Sequence, residues 1–337
     1  MWNPTATSRV EREIDLMRDE AASLLGCGPS SVLHAALFDV AGKLLRPRML
    51  LLCTHHGEET GGSGDWSIAR RAALAIELIH LGTLYHDDVV DRSSTRRGLP
   101  AVHKRFGTRA AAVGGAHLIA LGNALAASLP DPLVRRWGVA AVKLAEGQLR
   151  ETELAGSHDR SLEDFVRNAR RKTASVFELS AFFGSSIGEA LPADRIALVK
   201  FGRHFGTAFQ LWDDLADFVT LDSDHRRSAN DLRERTYTLP VLLGCAPADA
   251  VGLRLRDLLR DDGRPLSESA IVEVCVLLRE SGAFEQAARR MVGERDQAYS
   301  SLDALTATEP LDALRAMLTW LEPPTELGLD LSTQGTA

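Results

Sequence analysis

Twice in this chain an apolar run of helical period closes on the same acidic pattern. The first copy is Asp87-Asp88-Val89-Val90-Asp91 and the second is Asp213-Asp214-Leu215-Ala216-Asp217. On a helix, residues four apart share a face, so Asp87 projects beside Asp91 and Asp213 beside Asp217. Carboxylates so placed repel one another unless a cation lies between them. Their oxygens are hard donors, and Mg2+ takes one or two carboxylates, keeps several waters and completes its octahedron with substrate phosphates. A single copy in an acidic chain reads as a solvated helix face. Two copies, each ending an apolar helix, read as two walls of one site, built in a helical bundle from facing helices.

The rest of the chain agrees with a bundle. Apolar residues recur at helical spacing almost throughout, and alternating β-branched runs closed by Asn-Gly or Asp-Gly turns are missing. Helices are predicted over 8–25, 32–40, 47–53, 68–87, 107–127, 132–154, 162–189, 195–218, 239–243, 251–259, 267–281, 284–305 and 311–321. Breakers separate them at 57–64, 130–132, 156–157, 190–192, 261–263 and 323–324. No breaker is long enough to link domains. The expected fold is therefore all-α, a single-domain helical bundle over 1–324 around a central apolar cavity, with a disordered tail over 325–337.

Bulk properties narrow the function classes. A net charge of -7 excludes the basic footprint of a nucleic-acid binder, and 45% hydrophobic residues supply an ample core. No run of about 18 uncharged apolar residues appears, so no membrane span is predicted. Charges are scattered through the first twenty residues with no apolar h-region, which points to a cytoplasmic protein. Cys27, Cys53, Cys245 and Cys275 are far apart and read as reduced thiols.

Further motifs follow the acidic pair in order. Gly42-Lys43-Leu44-Leu45-Arg46-Pro47 precedes the first acidic copy, and Arg96-Arg97-Gly98 follows it. Lys172-Thr173 comes next, then Gln210 ahead of the second copy, then Asp231-Leu232 and Thr238-Leu239-Pro240. In this order the chain resembles the trans-isoprenyl diphosphate synthases, or polyprenyl synthetases, from about residue 42 to residue 240. The geranylgeranyl diphosphate synthases are the likeness within that family.

The resemblance implies the isoprenoid-synthase fold, a homodimer and a Mg2+-dependent prenyltransferase that joins isopentenyl diphosphate head-to-tail (1'-4) to an allylic diphosphate. Asp87, Asp91 and Asp213 would hold three Mg2+ ions on the allylic diphosphate. Asp88, Asp214 and Asp217 would ligate directly, through water, or orient the others. Arg96, Lys172 and Arg226 match positions that contact the allylic diphosphate. Lys43, Arg46, His80 and Arg97 match those that bind isopentenyl diphosphate. Seven residues separate His80 from Asp87, close to two turns and so one helix face. Thr173 and Gln210 match polar positions near the carbocation. No general base stands out for the last proton, which the departing diphosphate takes in this family.

Product length is expected to follow from side chains on the helix that ends at Asp87. Thr83 and Gly82 lie four and five residues before it, about 6 to 7.5 Å deeper. Both are small, which implies a product longer than C15, with C20 geranylgeranyl or somewhat longer expected and Ile79 and Ile76 as a lower floor. Three positions depart from the family pattern. Arg226 stands for one lysine after the second acidic copy, Thr236 replaces another, and Ala116 stands where an acid is expected. Arg233, Arg235 and Arg227 are the candidate compensating cations. Two other readings share part of the pattern: a class I terpene cyclase, which lacks the isopentenyl diphosphate residues, and a regulatory subunit of a heteromeric synthase, which loses an aspartate motif.

Overall fold

A computed structural model describes residues 8–26, 42–96, 99–154, 156–158, 160–219, 229–260, 266–329 and 331. Its helices are α1 Ser8–Gly26, α2 Leu45–Glu59, α3 Trp66–Val90, α4 Val102–Phe106, α5 Thr108–Ala126, α6 Asp131–Glu153, α7 Leu162–Ala169, α8 Ser175–Ile187 and α9 Pro192–Ala216. After these come α10 Asn230–Arg233, α11 Leu239–Cys245, α12 Ala250–Leu258, α13 Glu268–Glu280, α14 Ala283–Leu302 and α15 Glu309–Thr319. The all-α expectation holds. The only strands among the described residues are Thr95–Arg96 and Leu99–Pro100, a short antiparallel ribbon after the first acidic copy. No helix of the described residues is long and apolar enough to cross a membrane.

Most predicted helix ends fall within a few residues of the observed ones, and the exceptions have physical reasons. Residues 32–40 lie outside the described residues, as does Cys27. Helix α2 continues to Glu59, past its expected end at 53, because Gly57 is a contact residue and no breaker. A Cβ there would lie 2.3 Å from the Gly188 carbonyl oxygen. Gly184 meets the Leu50 carbonyl in the same way, so glycines set how closely α2 and α8 cross. The helix predicted over 162–189 is a composite of α7, a π-helical turn at Arg170–Ala174, and α8. The expected tail begins in an ordered way: Thr325–Leu327 form a 3-10 turn, and Leu327 is buried with its carbonyl accepting from Arg279. The tail residues 330 and 332–337 lie outside the described residues.

The chain, expected as one domain over 1–324, is described as two compact units. One comprises Met1–Ala141, Val176–Gly202 and Ser301–Met317, and the other Val142–Ser175, Arg203–Ser300 and Leu318–Ala337. The first is centred on α3. Asp65 caps that helix, accepting from the amides of Ser67 and Ile68 at 3.0 and 3.1 Å. Ala69, Ala72, Leu74, Ala75, Ile76 and Leu78 are all buried, so this helix is apolar on every side and lies inside its unit. In the second unit Trp212 and Trp320 pack with centroids 4.6 Å apart beside Phe209, and the buried Tyr237 donates to the Leu259 carbonyl at 3.0 Å. Cys53 and Cys245 are buried, Cys275 is half-buried, and none of the three is in a disulfide.

Candidate active site

Each acidic copy sits at the C-terminal end of a 25-residue helix: α3, in the first unit, and α9, whose residues from Arg203 onward belong to the second. Neither helix has a basic residue in its last turn. That end carries the negative pole of the helix dipole, so each carboxylate there is disfavoured by roughly 0.3 to 1 kcal/mol unless a cation answers it.

In the first unit Asp87 and Asp88 are 8% and 1% exposed, and Asp91 caps α3 with its amide donating to the Asp87 carbonyl at 2.8 Å. Arg92 follows at φ 56, a left-handed turn that aims the chain into the ribbon. From the ribbon Arg96 returns to Asp88, donating through Nε at 2.9 Å and through its terminal nitrogen. An arginine expected at the allylic diphosphate thus answers one acid of its own motif. Leu44, also left-handed at φ 49, starts α2 and puts Arg46 in its first turn. Arg46 lies over the Phe177 ring at 4.7 Å and meets His80 Nε2 at 3.1 Å. A guanidinium only donates, so His80 Nε2 is the acceptor. Two of the four residues expected to bind isopentenyl diphosphate are therefore in contact. Lys43 is exposed nearby in sequence, and Arg97 lies outside the described residues.

The second unit assembles a longer chain of contacts. Thr173, in the π turn, donates to Gln210 Oε1 at 2.6 Å, and Gln210 Nε2 donates to Asp214 Oδ1 at 3.0 Å. Asp214 Oδ2 is buried with no hydrogen-bond partner among the described residues. Burial pushes the Asp214 carboxyl up to about 8, with Asp213 and Glu151 adding to the push and Gln210 and Arg160 opposing it. Asp213 is exposed beside it. Asp217 accepts from the Asn230 amide and side chain and from the Asp231 amide, at 2.9 to 3.1 Å, so it caps α10. Of its three expected roles, its bonds describe the orienting one. Asp231 is raised well above the usual carboxylate range, by burial first and then by Asp217, Asp214 and Asp213.

Lys172 is ion-paired with Glu151 on α6. Gly147 permits this, because a Cβ there would lie 2.9 Å from the Lys172 amide nitrogen. Glu151 carried no motif in the sequence; a glycine inside a helical run was its one signal. The compensating cations resolve differently from expectation. Arg233 is paired with Glu268, and Arg235 donates weakly to the Tyr237 hydroxyl and the Arg260 carbonyl, both at 3.4 Å. Arg226 and Arg227 lie outside the described residues. Another cation, Arg160, donates to the carbonyl of Tyr237, the residue after Thr236, and covers the Phe165 ring at 4.8 Å. Burial lowers the Arg160 pKa, against the pull of Glu151 and Asp214. No motif marked this residue.

Residues 31–275 match the family model described as polyprenyl synthetase. Over 313 residues the chain is 31% identical to the nonaprenyl diphosphate synthase of Mycobacterium tuberculosis, covering 92% of this chain and 90% of that one. The chain belongs to the polyprenyl synthetase family. It is accordingly a prenyltransferase with the all-α isoprenoid-synthase fold. Among solved structures, a geranylgeranyl pyrophosphate synthase of Lactobacillus brevis superposes with a TM-score of 0.83 at 25% identity, covering 94% of this chain and 97% of that one. Another, from Corynebacterium glutamicum and complexed with calcium and isoprenyl diphosphate, gives 0.78 at 28% identity, covering 95% and 97%.

The donor set of this polyprenyl synthetase suits a divalent cation. Its side chains are hard carboxylate oxygens at the wrong helix end for an anion, and Asp214 Oδ2 is buried and unsatisfied. Among the described residues, no three carboxylate, histidine or thiol groups already converge on one point. The structure places the three chain-length positions differently. Gly82 does not present an open side: a Cβ there would lie 2.7 Å from the Gly115 carbonyl oxygen and from Ile119 on α5. Ile79 packs against Gly122 of the same helix. Both are crossing points of α3 and α5. Thr83 is half-buried, its hydroxyl donating to the His80 carbonyl at 2.8 Å.

Proposed function

We propose that this polyprenyl synthetase joins isopentenyl diphosphate to an allylic diphosphate by trans 1'-4 condensation, giving geranylgeranyl or a longer prenyl diphosphate. The observation that carries the reading is the pair of acid triplets, each at the end of a 25-residue helix whose last turn contains no basic residue. In the reaction the allylic C–O bond breaks, diphosphate leaves, the new C–C bond forms at the isopentenyl double bond, and a proton is lost to the departing diphosphate.

Asp87, Asp91 and Asp213 are the proposed Mg2+ ligands, with Asp88 and Asp214 supporting them and Asp217 orienting the segment. Mg2+, when bound, neutralises charge on the leaving diphosphate. Arg46 and His80 hold isopentenyl diphosphate with Lys43 and Arg97, while Lys172, Arg96 and Arg226 face the allylic diphosphate. The Thr173–Gln210 pair directs oxygen dipoles toward developing positive charge. Relatives named for geranylgeranyl and for nonaprenyl products support a chain of C20 or longer. Exposed Val139, Val142 and Leu149 on α6 support a homodimer, which its mass in solution tests.

The deciding experiment incubates the protein with Mg2+, isopentenyl diphosphate and each of dimethylallyl, geranyl and farnesyl diphosphate, and identifies products by mass. A ladder ending at C20 or beyond is expected. Asp87→Asn and Asp213→Asn are expected to lower turnover at least about 100-fold, the scale of losing preorganised charge stabilisation, with unchanged helix content. Isopentenyl diphosphate left unconsumed by the wild type would overturn the reading.

A further inference from the structure

The π turn that carries Lys172 and Thr173 is tied to α9 at a second point, outside every motif. Glu294 on α14 accepts from Arg170, the first residue of the π turn, at 2.9 Å through one oxygen. Its other oxygen accepts from His204 Nδ1 at 2.7 Å. His204 lies on α9 six residues before Gln210, about 9 Å along the axis. One carboxylate therefore joins the two segments whose side chains meet in the Thr173–Gln210–Asp214 chain. The tie is strong for a partly exposed group. Burial alone would raise the Glu294 carboxyl, yet hydrogen bonds from His204 and Arg170 outweigh it and hold its pKa below the usual value.

On the other side Glu294 and Arg170 line an open cleft with Leu162, Val166 and Leu211. A π turn is itself rare and marginal, and such turns concentrate at functional sites. The register is also demanding. Lys172 must pass Gly147 to reach Glu151, while Thr173, the next residue, must reach Gln210.

We propose that Glu294 is a positioning residue: by tying Arg170 to His204 it holds Lys172 and Thr173 in register with Gln210 and Asp214. Its kinetic consequence rests on the prenyl-synthase reading above; its structural consequence does not. Glu294→Gln keeps the volume and removes the charge, and Arg170→Gln removes one arm at a surface position.

The test is amide exchange of the full chain, read over residues 170–174 and 204–214, together with steady-state kinetics. In E294Q, exchange over 170–174 is expected to rise about 10-fold or more, while that of 66–90 stays unchanged. R170Q should move the same segment, less far. Turnover is expected to fall about 10-fold or more through misplacement, with KM for isopentenyl diphosphate unchanged within about twofold. Because Glu294 acts through the π turn that carries Thr173, the loss in a Glu294→Gln, Thr173→Ala double variant should be well below the product of the two single losses. Unchanged exchange over 170–174 in both variants, or losses that multiply in the double variant, would overturn the proposal. Should the wild type form no prenyl product, the synthase reading fails while the exchange arm still decides the clamp.

Discussion

At the scale of the residue, one buried carboxyl and one glycine carry separate consequences. Asp214 is buried, and its folded-state pKa of about 8 stands above an ordinary value of 3.8. A raised carboxyl contributes stability that is fully present below the unfolded pKa and is lost as pH rises through the folded one. Metal-free protein is therefore expected to lose stability between about pH 4 and pH 8, and Asp214→Asn to flatten that slope. Denaturant midpoints at several pH values read this directly; equal slopes in the two proteins would remove Asp214 as its source. Gly82 makes a different prediction from the one its small size suggests. Its missing Cβ faces the Gly115 backbone, which cannot give way, so Gly82→Ala is expected to cost about 1 to 3 kcal/mol in overpacking with product length unchanged. Thr83→Phe is the substitution expected to shorten the product. Product masses and thermal midpoints of the two variants check both statements.

Elements show why some of the molecule was legible and some was not. The helices ending at Asp87 and Asp213 were readable because apolar spacing, length and a run of acids coincide at one place in the sequence. Glycines misled in one direction: Gly57 read as a breaker, yet it lies within α2 because the contact it permits with Gly188 is distant in sequence. The π turn was invisible, since a single wider turn leaves the apolar period of 162–189 almost intact. With it went Glu151, Arg160 and Glu294, whose roles depend on contacts across 21, 77 and 124 residues respectively. By contrast, Arg46 and His80, grouped in the sequence only by their family positions, lie in contact. The α6 contact on the π turn yields its own prediction. Gly147→Ala would press on the Lys172 backbone at about 3 Å, shifting the turn that carries Lys172 and Thr173. KM for the allylic diphosphate is expected to rise, with KM for isopentenyl diphosphate little changed. Equal changes in both constants would mean that the disturbance spreads beyond the π turn.

For the whole molecule, the acid clusters link ligand binding to stability. Carboxylates gather at the negative ends of α3 and α9, where the helix dipole disfavours them, and in the second unit burial raises Asp214 and Asp231 above the usual carboxylate range. Whatever cation the native state takes up there binds the folded chain in preference to the unfolded one, and stabilises it by RT ln(1 + [L]/Kd), about 2.7 kcal/mol at a hundredfold excess over Kd. Mg2+ alone should act weakly, because it completes its coordination with phosphate oxygens as well as carboxylates. Mg2+ with inorganic diphosphate should raise the thermal midpoint by several degrees, and a chelator should reverse the rise. In Asp213→Asn and in Asp87→Asn the combined effect should shrink, although the two residues belong to different units. That last comparison is the informative one. A diphosphate-dependent rise lost in both variants means that the two acid clusters serve one metal-bound ligand. If the rise is lost in one variant and kept in the other, a single cluster binds the metal, and the synthase mechanism proposed for this chain would have to run on that cluster alone.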